Sequence, residues 1–334
     1  MFNKRLLMSF ALLIALFGCL GSSSSTKTEQ VVKGDYSLHV ISNTEVPFVE
    51  EYTPLDNTTV TTVNVSEVLD YNKDTSLPLD IFFFNASSET EDGRVVVIRK
   101  GDYDVAIVSV PQSEVERAAA LIQSVSDDVE LFIIPSAERA EEAASVASYL
   151  YVGYVAVPNY KSPALDAIKA KFKDRIKVFE NGDSFSEQGI DFTVTSPFPG
   201  ELSSDGNNAI SFLMEDRNFS AFFSTDIEGG AISKIVNTIS LDKVNILEVP
   251  NYGRGLGQST APAITLFFNK LKPDVAIFEG LPIDFAQVSI RGDPRDYPVR
   301  YLEQLNSTLY GVGNNDSIKV TYDGTSYNVT SNGE

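Results

Sequence analysis

The sequence predicts an α/β protein built as a four-layer αββα sandwich, two sheets face to face with helices outside each. Two observations lead there. From Leu79 onward, short apolar β-branched runs come first as a meander and then alternate with helical patterns. The same succession returns in the second half of the chain. Meander strands pair antiparallel, strands separated by helices pair parallel, and two such sets bury one sheet against the other. A single three-layer sheet is the structural alternative. At 334 residues and 43% hydrophobic content, the chain is long enough to fill a sizeable core.

The elements follow in order. The runs LDIFFF, RVVVIRK and DVAIVSV are separated by Glu91-Asp92-Gly93 and Gly101-Asp102, so they read as three strands. A helix over 113–126 follows, with Val115, Ala118, Leu121 and Ile122 on one face. Next come strand LFII, helix AERAEEAASVASYL, strand YVAV, helix ALDAIKAKF and strand IKVF. The second half gives strands DFTVTS, AISFLME and FSAFFS, then helix GGAISKIVNTI, strand VNILEV, helix PAITLFFNKL and strand DVAIF. It closes with helix YPVRYLEQL and a hairpin, SIKVTYDGTSYNVTS, turning at Asp323-Gly324.

Ahead of this domain, 79–334, the chain reads differently. Residues 1–19 carry Lys4 and Arg5 and then an apolar run from Leu6 to Phe17. That run is shorter than the ~20 residues of a bilayer span, and it fits an export signal. It ends in Leu16-Phe17-Gly18-Cys19, a lipobox-like sequence that makes Cys19 the candidate lipidation site. A plain secretion signal or uncleaved anchor is the alternative. Residues 20–32 are Ser-rich and suit a tether. Residues 33–78 form an N-terminal extension with strands, of which YSLHVISN is one.

The net charge is −20, from 26 basic and 46 acidic residues. Such a surface repels phosphate backbones, so a nucleic-acid partner is disfavoured. With a single cysteine, no disulfide forms within the chain. Sequons stand at Asn57, Asn64, Asn85, Asn218, Asn306, Asn315 and Asn328. They are candidate N-glycosylation sites on an exported protein. Lipobox and sequons together suit an archaeal-like cell surface, with the protein tethered to the outer face of the cytoplasmic membrane.

Five blocks in order carry a resemblance. GRVVVIRKGDYDVAIVSVP, NNAISFLMEDRNFSAFFSTDIEGGAISKI, DKVNILEVPNYGRG, FFNKLKPDVAIFEG and DYPVRYLEQLNSTLYGVGNNDSIKVTYDG together resemble the metallo-β-lactamase fold. They are most similar to the extracellular-type domain of competence (ComEC-like) DNA-uptake proteins. The resemblance implies a dinuclear metal centre on His-x-His-x-Asp-His, a bridging aspartate and a late His-His-Gly-Ser. Here the first motif reads Ser136, Glu138, Ala140 and Glu141. The opening Asp-Thr-Gly reads Ser109-Val110-Pro111, and Thr-Gly-Asp reads Ser224-Thr225-Asp226, which keeps the aspartate. The last pair reads Asn251 and Tyr252, followed by Gly253 and Arg254.

Zinc of this kind needs neutral imidazoles. The one histidine, His39, lies outside the matching region, so no zinc site of the family type can be assembled. Ser-His-Asp and Cys-His catalysis are excluded on the same count. Glu138, Glu141 and Asp226, with Asn251 and Ser136, could instead offer oxygen ligands to Mn²⁺ or Mg²⁺. The structural reading makes Ser136 a helix N-cap, the two glutamates first-turn acids and Asp226 the N-cap of IEGGAISKI. The loop Gly253 to Ser259 is glycine-rich enough to cradle a phosphate, or is simply a long loop.

The expectation is therefore a membrane-anchored pseudo-enzyme that takes no cofactor, with Tyr252 and Arg254 lining a groove for an unidentified protein or small-molecule ligand. The alternatives are a phosphoester-type hydrolase using Mn²⁺ or Mg²⁺, and a purely structural envelope protein.

Overall fold

The computed structural model describes residues 29–33, 37–41, 76–200, 202–256 and 261–332. The expected signal segment with Cys19, and the sequons at Asn57 and Asn64, lie outside these residues. By its internal contacts the chain divides into Met1–Asp70 and Tyr71–Glu334. The first unit shows two antiparallel strands, β1 (Glu29–Lys33) and β2 (Ser37–Ile41), with Val31 opposite His39. Strand β1 takes in residues 29–32 of the stretch expected as tether.

The second unit holds two sheets. β3 (Leu79–Asn85), β4 (Arg94–Lys100) and β5 (Tyr103–Ser109) form the antiparallel meander. Helix α1 (Val115–Gln123) leads to β6 (Val129–Ile133), α2 (Ala140–Ala147) to β7 (Val152–Pro158), and α3 (Pro163–Phe172) to β8 (Ile176–Phe179). These three strands add in parallel. The second sheet repeats the scheme. β9 (Ser184–Glu187), β10 (Ile190–Ser196), β11 (Ser211–Asp216) and β12 (Phe219–Phe223) are antiparallel neighbours. After α4 (Gly229–Thr238), β13 (Ile246–Glu248), α5 (Ala261–Leu271), β14 (Val275–Phe278), the short α6 (Val288–Arg291), α7 (Asp296–Gln304) and β15 (Thr308–Gly311), the parallel half is complete. The closing hairpin, β16 (Ser317–Tyr322) and β17 (Tyr327–Asn332), crosses back to the first sheet, where β16 pairs with β3. The sheet orders are β17-β16-β3-β4-β5-β6-β7-β8 and β15-β14-β13-β12-β11-β10-β9.

Alternation along β4 shows how the layers arise. Val96 and Ile98 face the second sheet and join Phe83, Phe212 and Phe223 in a core between the sheets. Val95 and Val97 face the other way and pack with α1, α2 and α3. A third core, with Phe222, Phe267 and Phe268, lies between the second sheet and α4, α5 and α7. Two sheets and two helical layers follow from period-two patterning with both faces apolar. The same alternation puts Arg94 and Lys100, at the two ends of β4, on the inward face. Among the described residues no helix is long and apolar enough to cross a membrane.

Candidate functional site

The site lies where the parallel strands of the second sheet end. Phe223, Glu248 and Ile277 are register partners on adjacent strands. The chain thus leaves β12 at Ser224-Thr225-Asp226, β13 at Glu248 and β14 at Glu279, all at one end of the sheet. Open α/β sheets place functional groups at such carboxyl ends. Opposite them, in the first sheet, β4 begins with Arg94.

Arg94 is fully buried. Its Nη1 donates to Asp226 Oδ1 at 2.5 Å, its Nη2 to the Thr225 carbonyl at 3.1 Å, and its Nε to Glu279 Oε2. Glu248 Oε1 stands 2.6 Å from the same Nε, in ion-pair contact without a hydrogen bond. Tyr252 covers the guanidinium, with its ring centroid 4.6 Å from the central carbon. A planar, always-charged group with a fixed donor fork suits convergent carboxylates in a dry site.

One cation therefore meets three carboxylates. Burial opposes the charge on Arg94, but Glu248, Glu279 and Asp226 outweigh it and hold its pKa above the ordinary value. Burial, reinforced by the charge of Glu248, pushes the Glu279 carboxyl well up despite the opposing Arg94. Burial thus favours the protonated form of Glu279, whose Oε1 makes no hydrogen bond. Glu248 Oε2 also accepts the Thr225 amide at 3.2 Å, and Asp226 Oδ2 accepts from Ser136 Oγ at 2.7 Å.

The backbone around the cluster is constrained. Thr225, Asn251 and Tyr252 have φ of 51°, 45° and 56°, a left-handed region that non-glycine residues occupy at a cost when the surroundings demand it. The Asn251 amide donates to the Thr225 carbonyl at 2.8 Å, which ties these segments together. Gly253 has φ +77°, and a Cβ there would meet the Phe278 ring at 2.9 Å. Tyr252 OH stands 3.5 Å from Ser109 Oγ, and burial pushes the phenol's pKa up, so it stays neutral. Above this floor, Arg254 Nε is 2.9 Å from Asp92 Oδ2, and Arg139 donates to the Asp92 carbonyl.

The structure brings Ser109, Ser136, Asp226, Asn251 and Tyr252 together, as their places in the chain imply. Their roles differ from expectation. Ser136 caps no helix: α2 starts at Ala140, and Ser136 binds Asp226. Asp226 caps no helix either. It is held by Arg94, and the α4 amide of Ala231 is bonded by Asn207 Oδ1 at 2.9 Å. Tyr252 is buried over Arg94 and is not a groove wall, while Arg254 is half-buried at the rim. Ala140 is buried in α2, and Glu141 is exposed on that helix, apart from the cluster. Glu138 lies at the rim, its pKa raised by burial and by nearby Asp226. Of the glycine-rich loop, 257–259 lie outside the described residues.

Arg94, Glu248 and Glu279 escaped the sequence reading. A signal was present. ILE in β13 and VAIFE at the end of β14 each close a buried parallel strand with a carboxylate. Such acids need a buried cation, and the basic residues flanking the valines of β4 supply candidates.

No family model and no curated protein matches the chain. Solved structures do. A diiron β-hydroxylase, CmlA from Streptomyces venezuelae, is 14% identical over 73% of this chain and 54% of its own, with a TM-score of 0.46. The chain thus spans about half of that protein. The metallo-β-lactamase fold protein YhfI from Bacillus subtilis is 8% identical over 70% and 95% of the two chains, with a TM-score of 0.43. MEM-A1, a subclass B3 metallo-β-lactamase from a soil metagenome library, is 11% identical over 70% and 94%, with a TM-score of 0.37.

The fold is a four-layer αββα sandwich, similar to that of these metallo-β-lactamase-fold neighbours.

CmlA is a diiron enzyme and MEM-A1 a metallo-β-lactamase, which corrects the expectation of a chain that takes no cofactor. The residues at the strand ends do not themselves fit a metal of that kind. Their carboxylates converge on Arg94, and among the described residues no group of three or more His, Cys, Asp or Glu is arranged to hold an ion.

Proposed function

We propose that this chain is a binding or scaffolding protein on the metallo-β-lactamase fold, a pseudo-enzyme of the branch that resembles ComEC-like extracellular domains. One observation carries the reading: the surviving aspartate, Asp226, is engaged on both oxygens, by Arg94 and by Ser136. A carboxylate so engaged serves as the partner of a buried arginine, and this supports a structural role. Ser136 donates its proton to an arginine-bound anion, and Tyr252 is neutral and buried, so neither is an activated nucleophile.

The proposal extends to where the protein works. Residues 1–19 are the export signal, Cys19 carries the lipid, 20–32 form the tether and 33–78 the extension before the domain. The anchor places the domain at the outer face of the membrane, where an unidentified protein or small-molecule ligand is its partner. The charge of −20 argues against nucleic acid.

The test is hydrolysis by the purified chain of phosphodiester, phosphomonoester and β-lactam substrates, each with Zn²⁺, Mn²⁺ or Mg²⁺ added. The expected result is no turnover above the Asp226→Ala variant. Turnover that Asp226→Ala abolishes would overturn the proposal in favour of a hydrolase.

A further inference from the structure

The five described sequons divide by place and by chemistry. The Lys100–Asp216 contact of 2.8 Å joins the sheets at one end, and Arg94 joins them at the other. The strand registers assign each sequon to an end. Asn85 pairs with Arg94, and Asn315 lies two residues before β16, whose first residue Ser317 pairs with Phe84; both lie at the Arg94 end. Asn218 sits in the β11–β12 turn, beside the Asp216–Phe219 pair. Asn306 precedes β15, whose first residue Thr308 pairs with Val275, the first of β14. Asn328 is the second residue of β17, whose first, Tyr327, pairs with Tyr322, itself opposite Leu79. Leu79 pairs with Lys100, so these three lie at the Lys100 end.

The chemistry divides the same way. Asn85 is half-buried, and its Oδ1 accepts the Ser87 amide at 3.2 Å; the sequon hydroxyl of Ser87 accepts from Gly93 N at 3.0 Å. Asn315 is half-buried with Nδ2 donated to the Gly311 carbonyl at 2.9 Å, and its sequon serine, Ser317, is buried. Asn218, Asn306 and Asn328 are exposed. Asn306 projects from a left-handed turn residue, φ 61°. On the edge strand β17, alternation exposes Asn328 together with Thr330, the two sequon positions a transferase must read at once.

We infer that Asn218, Asn306 and Asn328 carry N-linked glycans and that Asn85 and Asn315 do not, so that sugar covers the Lys100 end and leaves the Arg94 end bare. This rests on the proposed export. In the reaction the asparagine Nδ2 bonds to the anomeric carbon of a lipid-phosphate-linked oligosaccharide. The carbon–oxygen bond to phosphate breaks, the lipid phosphate leaves with the bonding pair, and the amide gives one proton to the transferase's base. Nothing is oxidised or reduced. Bulky hydrated chains at one end direct any protein partner to the other.

The test separates this from export itself. The full chain is produced behind a heterologous secretion leader in a cell that attaches N-glycans, with an appended C-terminal sequon of known occupancy reporting transit. A parallel culture uses the chain's own leader, and its secretion reports export alone. With the appended sequon filled, three further mobility steps are expected. Asn218→Gln, Asn306→Gln and Asn328→Gln each remove one, Asn85→Gln and Asn315→Gln remove none, and peptide mass spectrometry places the sugars. An appended glycan with the three sites empty, or sugar on Asn85 or Asn315, overturns the inference.

Discussion

Strand β4 has a buried base at each end, and the two ends solve the same problem differently. Lys100 Nζ meets one carboxylate, Asp216, at 2.8 Å, and Asp216 also takes Arg217 Nε at 3.0 Å. Charge there is matched locally, and Arg217, part-exposed, stacks on Tyr322 at 4.9 Å. At the other end Arg94 faces three acids, and burial favours the protonated form of one of them, Glu279. The first arrangement is a strut between sheets. The second is a crowded cluster at the strand ends, covered by Tyr252 on strained backbone. Excess acid with a single buried cation marks the part of the molecule that departs from a simple core.

The largest expected difference comes from removing each base. Arg94→Met leaves Asp226 and Glu248 buried without a cation and is expected to lose about 3–5 kcal/mol in urea unfolding. Lys100→Met is expected to lose about 3 kcal/mol at most, since Arg217 still faces Asp216. The double change Lys100→Met with Asp216→Leu then returns close to the parent stability, as replacing a whole buried pair often does. Arg94→Met with Asp226→Leu does not, because Glu248 stays unpaired. If both double variants recovered alike, the two ends would be equivalent and the contrast would fail.

A smaller effect comes from the Lys100 end, beside the raised carboxyl of Glu279 at the other. Burial raises Glu130 from 4.5 to about 7 and Asp104 from 3.8 to about 6. The Asp104 amide donates to Glu130 Oε2 at 2.8 Å. Arg99, Asp102, Asp128 and Ser126 surround the pair. Folded values above the unfolded ones mean that this stability is complete below about pH 4 and is lost as pH rises to about 7. After solvent screening the loss is on the order of 1–2 kcal/mol. Unfolding midpoints measured across pH 4–7 are expected to fall, and Glu130→Gln should reduce the slope while the part owed to Glu279 remains.

The smallest effect is expected from Glu279→Gln. A neutral acid replaced by a neutral amide keeps the charge balance, so the change should be within about 1 kcal/mol. Asp226→Asn, which removes a paired charge, should cost more; equal losses would place the proton elsewhere.

The fold was legible because strand and helix periods alternate cleanly from Leu79 onward, and Asp226, Ser136 and Tyr252 were legible as site neighbours from the order of the blocks. Three things were not. The return of β16 to the first sheet depends on register, which the hairpin's own sequence does not encode. Arg94 lies in a run of valines whose local pattern says only that a strand is there; its partners are 132, 154 and 185 residues away in the chain. The roles given to Ser136 and Asp226 as caps failed because tertiary partners outcompeted local ones.

The direct test of the account is hydrogen exchange at the arginine Nε–H groups, followed by ¹H–¹⁵N NMR of the full chain. A buried Arg94 bonded to Glu279 predicts one Nε–H exchanging far more slowly than those of exposed arginines, absent in Arg94→Lys and retained in Glu279→Gln. A spectrum in which no Nε–H signal lost in Arg94→Lys is protected would contradict it.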